Sequence, residues 1–171
     1  MIALPELARP AAVRLPAHPA TGRLALFALC GDLVIALDAL ALHEVRRADD
    51  TPTSSDGAGG MIVALDGARF AGWDLGALLG LGSCTDAWAI TALAGRGRVG
   101  FRIGRCALVE PLPVCRALPR GIFAGTAGGL RRPDAITAGF SLASIPELAD
   151  RVSGVVVDLA RVLAAPQEAA P

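Results

Sequence analysis

Gly95-Arg96-Gly97-Arg98-Val99-Gly100 carries the G-x-G-x-x-G spacing of a dinucleotide-binding loop. In that chemistry the glycines let the backbone approach a pyrophosphate, and a helix must follow so that its N-terminus holds the phosphates. Here Phe101-Arg102-Ile103-Gly104 follows, with the alternation of a strand, and no acidic residue lies between Glu110 and Asp134 to bind a ribose hydroxyl. The glycines therefore read as a hairpin turn. His43-Glu44 is half of a metal or acid–base pair, but no HExxH spacing follows and position 47 is arginine. The pair reads as an exposed strand edge. Asp38, Asp66, Asp74 and Asp158 are the carboxylates that could act in general acid–base work. Local duties account for three of them: Asp66 precedes Gly67 in a turn, and Asp74 and Asp158 each precede a Leu-x-x-x-Leu run as helix caps. Cys30, Cys84, Cys106 and Cys115 show no CxxC spacing and no neighbouring histidines, so they read as buried, reduced thiols and not as a zinc site. No G-x-S-x-G and no local Cys–His pair supplies a nucleophile. These residues assign no catalytic group, no metal and no cofactor.

The elements around these residues are short strands. Met61 to Leu65 alternates as a buried strand does, Asp66-Gly67 is a two-residue hairpin signal, and Asp74 opens a helix bearing Leu75, Leu78 and Leu79 that Gly80 ends. Further strands are expected over Arg23–Leu29, Leu33–Leu37, Leu40–Arg47, Trp88–Leu93, Val99–Ile103, Cys106–Val109, around Phe140 and Leu142, and over Val152–Leu159. Val99, Phe101 and Ile103 alternate with Gly100, Arg102 and Gly104, which predicts one dry face and one wet face. Residues 48–60 and 124–135 read as loops, residues 1–20 as a Pro- and Ala-rich mobile tail, and Arg161–Ala165 as the start of a terminal helix. Many short strands between Gly- and Pro-rich turns indicate an all-β barrel or sandwich.

At 171 residues the chain makes one domain, or two small halves sharing a core. It is 53% hydrophobic but only 4% aromatic, and its 16 basic residues, all arginine, balance 16 acidic ones. A neutral chain without a basic stripe does not point to nucleic acid. Pro5, Pro10, Pro16 and Pro19 interrupt any apolar core of a signal peptide. Leu24 to Leu42 imitates a membrane span but contains Asp32 and Asp38. Each aspartate costs about 2.5–3.5 kcal/mol at a span centre, against about 0.3–0.6 gained per Leu, Ile, Val or Phe. A hairpin turning at Gly31-Asp32 is the expected form; a membrane anchor is the other reading of this segment.

The segment from Met61 to Leu81 resembles the mid-fold motif of the CheW-like chemotaxis adaptors, V-I-N-L-R-G-x-x-x-P-x-x-D-L-x-x-x-L-G-L. Ile62, Val63, Leu65, Gly67, Asp74, Leu75, Leu79, Gly80 and Leu81 fall into that pattern; Asp66 stands where the family has arginine and Ala71 where it has proline. Arg23–Arg47 resembles the family's first hairpin and following strand, Trp88–Glu110 its central hairpin, and Val152–Leu163 its closing strand and helix. The blocks occur in family order across residues 23–163.

The resemblance implies an all-β fold of two SH3-like five-stranded β-barrel subdomains with short helices. The domain would span residues 21–165, between the tail at 1–20 and a short tail at 166–171. It further implies a non-catalytic, cytoplasmic adaptor coupling methyl-accepting chemoreceptor tips to the regulatory domain of a CheA-type histidine kinase in receptor arrays. The kinase-facing strand would include Leu42, Glu44, Val45 and Arg46. Asp66 would sit where partner geometry or the junction is set, and Val99, Phe101 and Ile103 would wall a receptor groove. The reversed charge at Asp66, with Gly104 where an acidic residue is common, suits a divergent or accessory member. The alternative is a small β-barrel enzyme or ligand-binding protein using carboxylates near Asp66 and Asp158.

Overall fold

The computed structural model describes residues 13–14, 24–57, 60–112, 130–141 and 153–164. Its strands are β1 (Val13–Arg14), β2 (Leu24–Cys30), β3 (Leu33–Asp38), β4 (Leu42–Arg47), β5 (Thr53–Ser55), β6 (Met61–Leu65), β7 (Ala68–Asp74), β8 (Ala87–Leu93), β9 (Gly97–Ile103), β10 (Cys106–Pro111), β11 (Ile136–Ser141) and β12 (Ser153–Val157). Two five-residue helices, α1 (Leu75–Leu79) and α2 (Leu159–Leu163), and 3₁₀ turns at Ala39–Ala41 and Pro133–Ala135 complete the described elements.

The strands form two sheets, ordered β1-β4-β8-β9-β7-β6-β5 and β10-β2-β3-β12-β11. The first is five longer strands extended at its edges by the two-residue β1 and the three-residue β5. Alternation sends successive side chains to opposite faces, and here both faces are covered. In β2 and β3, Leu26, Ala28, Cys30, Ile35 and Leu37 point into a core shared with the other sheet, whereas Ala25, Phe27, Val34 and Ala36 build a second core with Phe140 and Val156. In the larger sheet Ala87, Ala89, Val99, Phe101 and Ile103 join the shared core, and Trp88 and Ile90 pack with Val63 and Leu65 in a third. The molecule is thus an all-β fold of two sheets, each with its own small core, joined through a common one.

That arrangement explains the apolar run. Leu24 to Leu42 is apolar on both faces because β2 and β3 are buried on both, and the segment turns at Gly31, whose φ is +59°. Among the described residues no helix is long and apolar enough to cross a membrane. The Asp66-Gly67 turn takes positive φ at both positions, 50° and 76°, as the Asp-Gly signal requires. Asp74 caps α1 by accepting from Ala77 N–H at 3.0 Å, and Asp158 caps α2 by accepting from Ala160 N–H at 3.0 Å and Arg161 N–H at 3.2 Å. α2 begins at Leu159, immediately after that cap, and so two residues before the expected Arg161 start.

Three readings change. Thr53–Ser55, inside the stretch read as the 48–60 loop, pairs with β6. Pro133–Ala135 forms a 3₁₀ turn at the end of the 124–135 loop, whose residues 124–129 lie outside the described set. Val13 and Arg14, inside the stretch read as a tail, pair with Val45 and Glu44; the rest of residues 1–20, residues 166–171, Leu142 and Cys115 lie outside the described residues.

Candidate functional site

β4 supplies four of the residues expected to face a kinase, and its geometry divides them. A register shift between Leu42 and Glu44 against β8 inserts an extra residue at the exposed His43. The bulge lets Leu42 and Val45 both pack on the shared core, with Leu42 buried and Val45 partly so. Glu44 and Arg46 then share the face of Ile90 and Trp88, their direct partners on β8. The Arg46 side chain is half-buried and its Nε donates to Glu44 Oε1. Its Nη2 reaches Asp66 Oδ1 at 3.5 Å. Arg46 therefore links the strand assigned to the kinase with the turn assigned to partner geometry, two sets that the sequence alone leaves twenty residues apart. The reversed charge at Asp66 meets a guanidinium of this chain. Arg46 and Asp66 edge an open cleft of about 370 Å³ that also includes Asp50 and Arg69. The other edge of β4 is covered where Val13 and Arg14 pair with it.

The expected receptor-groove residues are buried side chains of β9. Val99, Phe101 and Ile103 are 1%, 0% and 0% exposed, inside the shared core. Their alternation does mark a dry face, but that face is interior to the molecule. The intervening positions are not simply wet either. Gly100 lies beneath Trp88, and the Arg102 guanidinium lies 6.0 Å from the Trp88 ring centroid. The buried Nε of Arg102 has no hydrogen-bond partner among the described residues.

An open groove of about 560 Å³ does run past the start of β9, touching Val99 at its margin. It is formed by Arg69, Phe70 and Trp73 of β7 with Arg96 of the β8–β9 turn and Arg98 of β9, and among the described residues no acidic one lines it. Arg98 sits over the Phe70 ring at 5.9 Å, and Trp73 contacts Phe101 in a tilted ring pair. Sequence reading missed these residues because the arginines fall in what looked only like a turn. The signal available was Arg69, Phe70 and Trp73 in one short segment and Arg96-x-Arg98 in another.

Arg96 leaves this groove to donate to Leu163 O at 3.1 Å, at the end of α2. Arg132 completes that helix end. Its Nη1 donates to Val162 O and Ala164 O, both at 2.6 Å, and its Nη2 donates to Arg161 O. The last carbonyls of a helix have few partners within it; here two arginines from separate segments bond four of them, and Arg161 O also accepts from Ala164 N–H. Asp134 holds Arg132 by a paired contact at 3.0 and 2.7 Å, which depresses the Asp134 carboxyl below its ordinary range and raises Arg132.

Asp66 and Asp158, the carboxylates of the alternative reading, have separate employment: Asp66 faces Arg46 in the larger subdomain, and Asp158 caps α2 after β12 of the smaller. Among the described residues no group of three His, Cys, Asp or Glu side chains is disposed to hold a metal ion. Gly104, where the family commonly has an acidic residue, explains itself. A Cβ there would stand 2.0 Å from Leu29 O, because the end of β9 crosses against the end of β2. No side chain fits.

No protein-family model matches the sequence, and no curated protein matches it. Among solved structures the chain is similar to the scaffolding protein TtCheW from Thermoanaerobacter tengcongensis. The TM-score is 0.63 at 14% sequence identity, covering 85% of this chain and 94% of that one. At that identity the likeness is one of fold: this chain has the architecture of a CheW scaffold.

Proposed function

We propose that this protein is a non-catalytic signalling adaptor, a divergent or accessory CheW-like scaffold that couples chemoreceptors to a CheA-type histidine kinase. The observation that carries the reading is the fold likeness to a scaffolding protein, with a TM-score of 0.63 and 94% of that chain covered. The ordered sequence blocks from residue 23 to residue 163 support it independently. In this reading the working unit is residues 21–165, acting in the cytoplasm at receptor arrays. The kinase regulatory domain meets the β4 side of the larger subdomain, where Glu44 and Arg46 present a partly buried ion pair and Asp66 extends it outward. Charge of this kind selects partners, because a like-charged juxtaposition costs several kcal/mol.

Leu42 and Val45 act by holding β4 on the core, and Val99, Phe101 and Ile103 by fixing β9 beneath the receptor groove. The receptor tip lies in the groove of Phe70, Trp73, Arg69, Arg96 and Arg98. Its aromatic surface suits the apolar face of a helix, and its arginines suit acidic residues on that helix.

The test is calorimetric titration of the purified protein with a chemoreceptor tip and, separately, with a CheA-type kinase regulatory domain from the same organism. Asp66→Arg and Arg46→Glu are expected to weaken the kinase tenfold or more and leave the receptor unchanged; Arg98→Glu is expected to do the reverse. Strong kinase binding that survives both β4-side changes sinks the assigned interface, and no binding to either partner sinks the adaptor reading.

A further inference from the structure

Cys30 and Cys84 are 0% and 3% exposed, and their Sγ atoms are 3.3 Å apart. They come from different parts of the architecture. Cys30 ends β2 in the smaller sheet, and Cys84 lies in the connection after α1. Cys84 is held in place rather than packed by chance. Its backbone N–H donates to both oxygens of Asp74 at 3.1 and 3.0 Å, and Ser83 Oγ donates to the same carboxylate. Gly76 in α1 makes room for it: a Cβ there would lie 2.8 Å from Cys84 Sγ. Capping alone requires none of this. Asp74 already accepts from Ala77 N–H, and the extra bonds serve to fix the 82–86 connection against Cys30.

The pair is also unequal. The hydrogen bond with Cys30 holds the Cys84 thiol below its ordinary range, against burial and the Asp74 carboxylate. The same bond, then burial, pushes Cys30 up. Nucleophilic attack requires a thiolate, and Cys84 is the member that the contact favours in that form. It is also the member flanked by exposed chain, since Gly82, Ser83 and Thr85 face solvent. Cys106 differs: burial, with the Asp86 and Cys84 charges behind it, pushes its thiol up to about 12.

We infer that Cys30 and Cys84 are a reversible oxidation site, converted by a small hydroperoxide into a disulfide that ties the two subdomains together. The Cys84 thiolate attacks one peroxide oxygen, and the O–O bond breaks to give Cys84 sulfenic acid and hydroxide. The Cys30 sulfur then attacks the Cys84 sulfur, forming the S–S bond and expelling the sulfenic oxygen as hydroxide, which takes the Cys30 proton and leaves as water. Two thiols lose two electrons and one hydroperoxide gains them. The sulfurs need close by only about 1.3 Å to reach the ~2.05 Å bond. A dithiol reductant reverses the step. The site does not depend on the adaptor reading.

The experiment treats the folded, fully reduced chain with hydrogen peroxide, blocks the remaining thiols under denaturing conditions, and maps peptides by mass spectrometry. The expected product is a monomer lacking two hydrogen atoms, with residues 30 and 84 cross-linked, reversed by dithiothreitol. Cys106→Ser is expected to retain the product, and Cys30→Ser and Cys84→Ser to lose it. The wild-type peptide map stands alone if either core variant fails to fold. Peroxide that adds oxygen without cross-linking, a bond to Cys106 or Cys115, or thiols that stay reduced in the folded chain while an unfolded control oxidises would each overturn the inference.

Discussion

Replacing Arg132 with alanine tests whether α2 is held by its C-terminal arginines or by its own short length. A five-residue helix has too few internal bonds to persist alone. Arg132 bonds three of its last carbonyls, and the side chain is only 12% exposed. Those carbonyls do not fare alike when the guanidinium goes. Arg161 and Ala164 are exposed, so their carbonyls turn to water at little cost, whereas Val162 is buried and its carbonyl is stranded. A stranded buried acceptor costs about 1–3 kcal/mol. Losing a cation at a helix C-terminus adds about 0.3–1 kcal/mol. The Asp134 contact adds at most about 1 kcal/mol, because that carboxylate is 47% exposed and screened by solvent. The expected destabilisation is about 1–5 kcal/mol, read as a lower urea midpoint with unchanged slope. Arg132→Lys keeps the charge but not the fork, and is expected to recover less than half. Hydrogen exchange should rise first at residues 159–164. A loss of stability below about 0.5 kcal/mol would refute the reasoning, showing that water replaces the arginine without penalty.

The Asp134 carboxyl is depressed in the folded state, so its share of stability is full above its unfolded value of about 3.9 and is lost as pH falls through the folded one. The acid limb of a melting-temperature profile should therefore flatten in Asp134→Asn. Phe101→Ala should cost about 3–5 kcal/mol in chemical denaturation, the signature of a core residue; a stable variant deficient only in receptor binding would contradict its burial. Arg102→Met should be neutral within about 1 kcal/mol or stabilising, since it removes a guanidinium whose buried Nε is unpartnered and keeps the contact with Trp88; a large loss would reveal a partner for that cation. Native Cys106 should resist iodoacetamide at pH 8, since its thiol is pushed up to about 12; rapid alkylation there would contradict that upward shift.

Much of the fold was legible in the sequence because its signals are local. Asp66-Gly67 dictates a turn, Asp74 and Asp158 dictate caps, and alternation marks β6 and β9. What was not legible depends on what covers a face. Val99, Phe101 and Ile103 show the same pattern whether they wall a groove or fill a core, and only the second sheet decides between these. β5 was lost because Thr53–Ser55 is exposed and polar, held by pairing with β6 rather than by burial. The Glu44–Arg46–Asp66 group and the Arg132 clamp join residues that no periodicity relates.

The chain leaves the smaller sheet after β3, builds β4 to β9 of the larger one, and returns for β10 to β12. During synthesis, then, β4 to β9 can pair while the ribosome still holds the rest. β3 must wait, because its parallel partner is β12, with Leu37 beside Val157. Until that last strand emerges, Val34 to Leu37 lacks a neighbour along one edge, and an unpaired apolar strand is an aggregation hazard. The early hairpin is therefore where a nascent chain would most need a chaperone, and the step that closes the smaller sheet is the slow one expected for so non-local a contact.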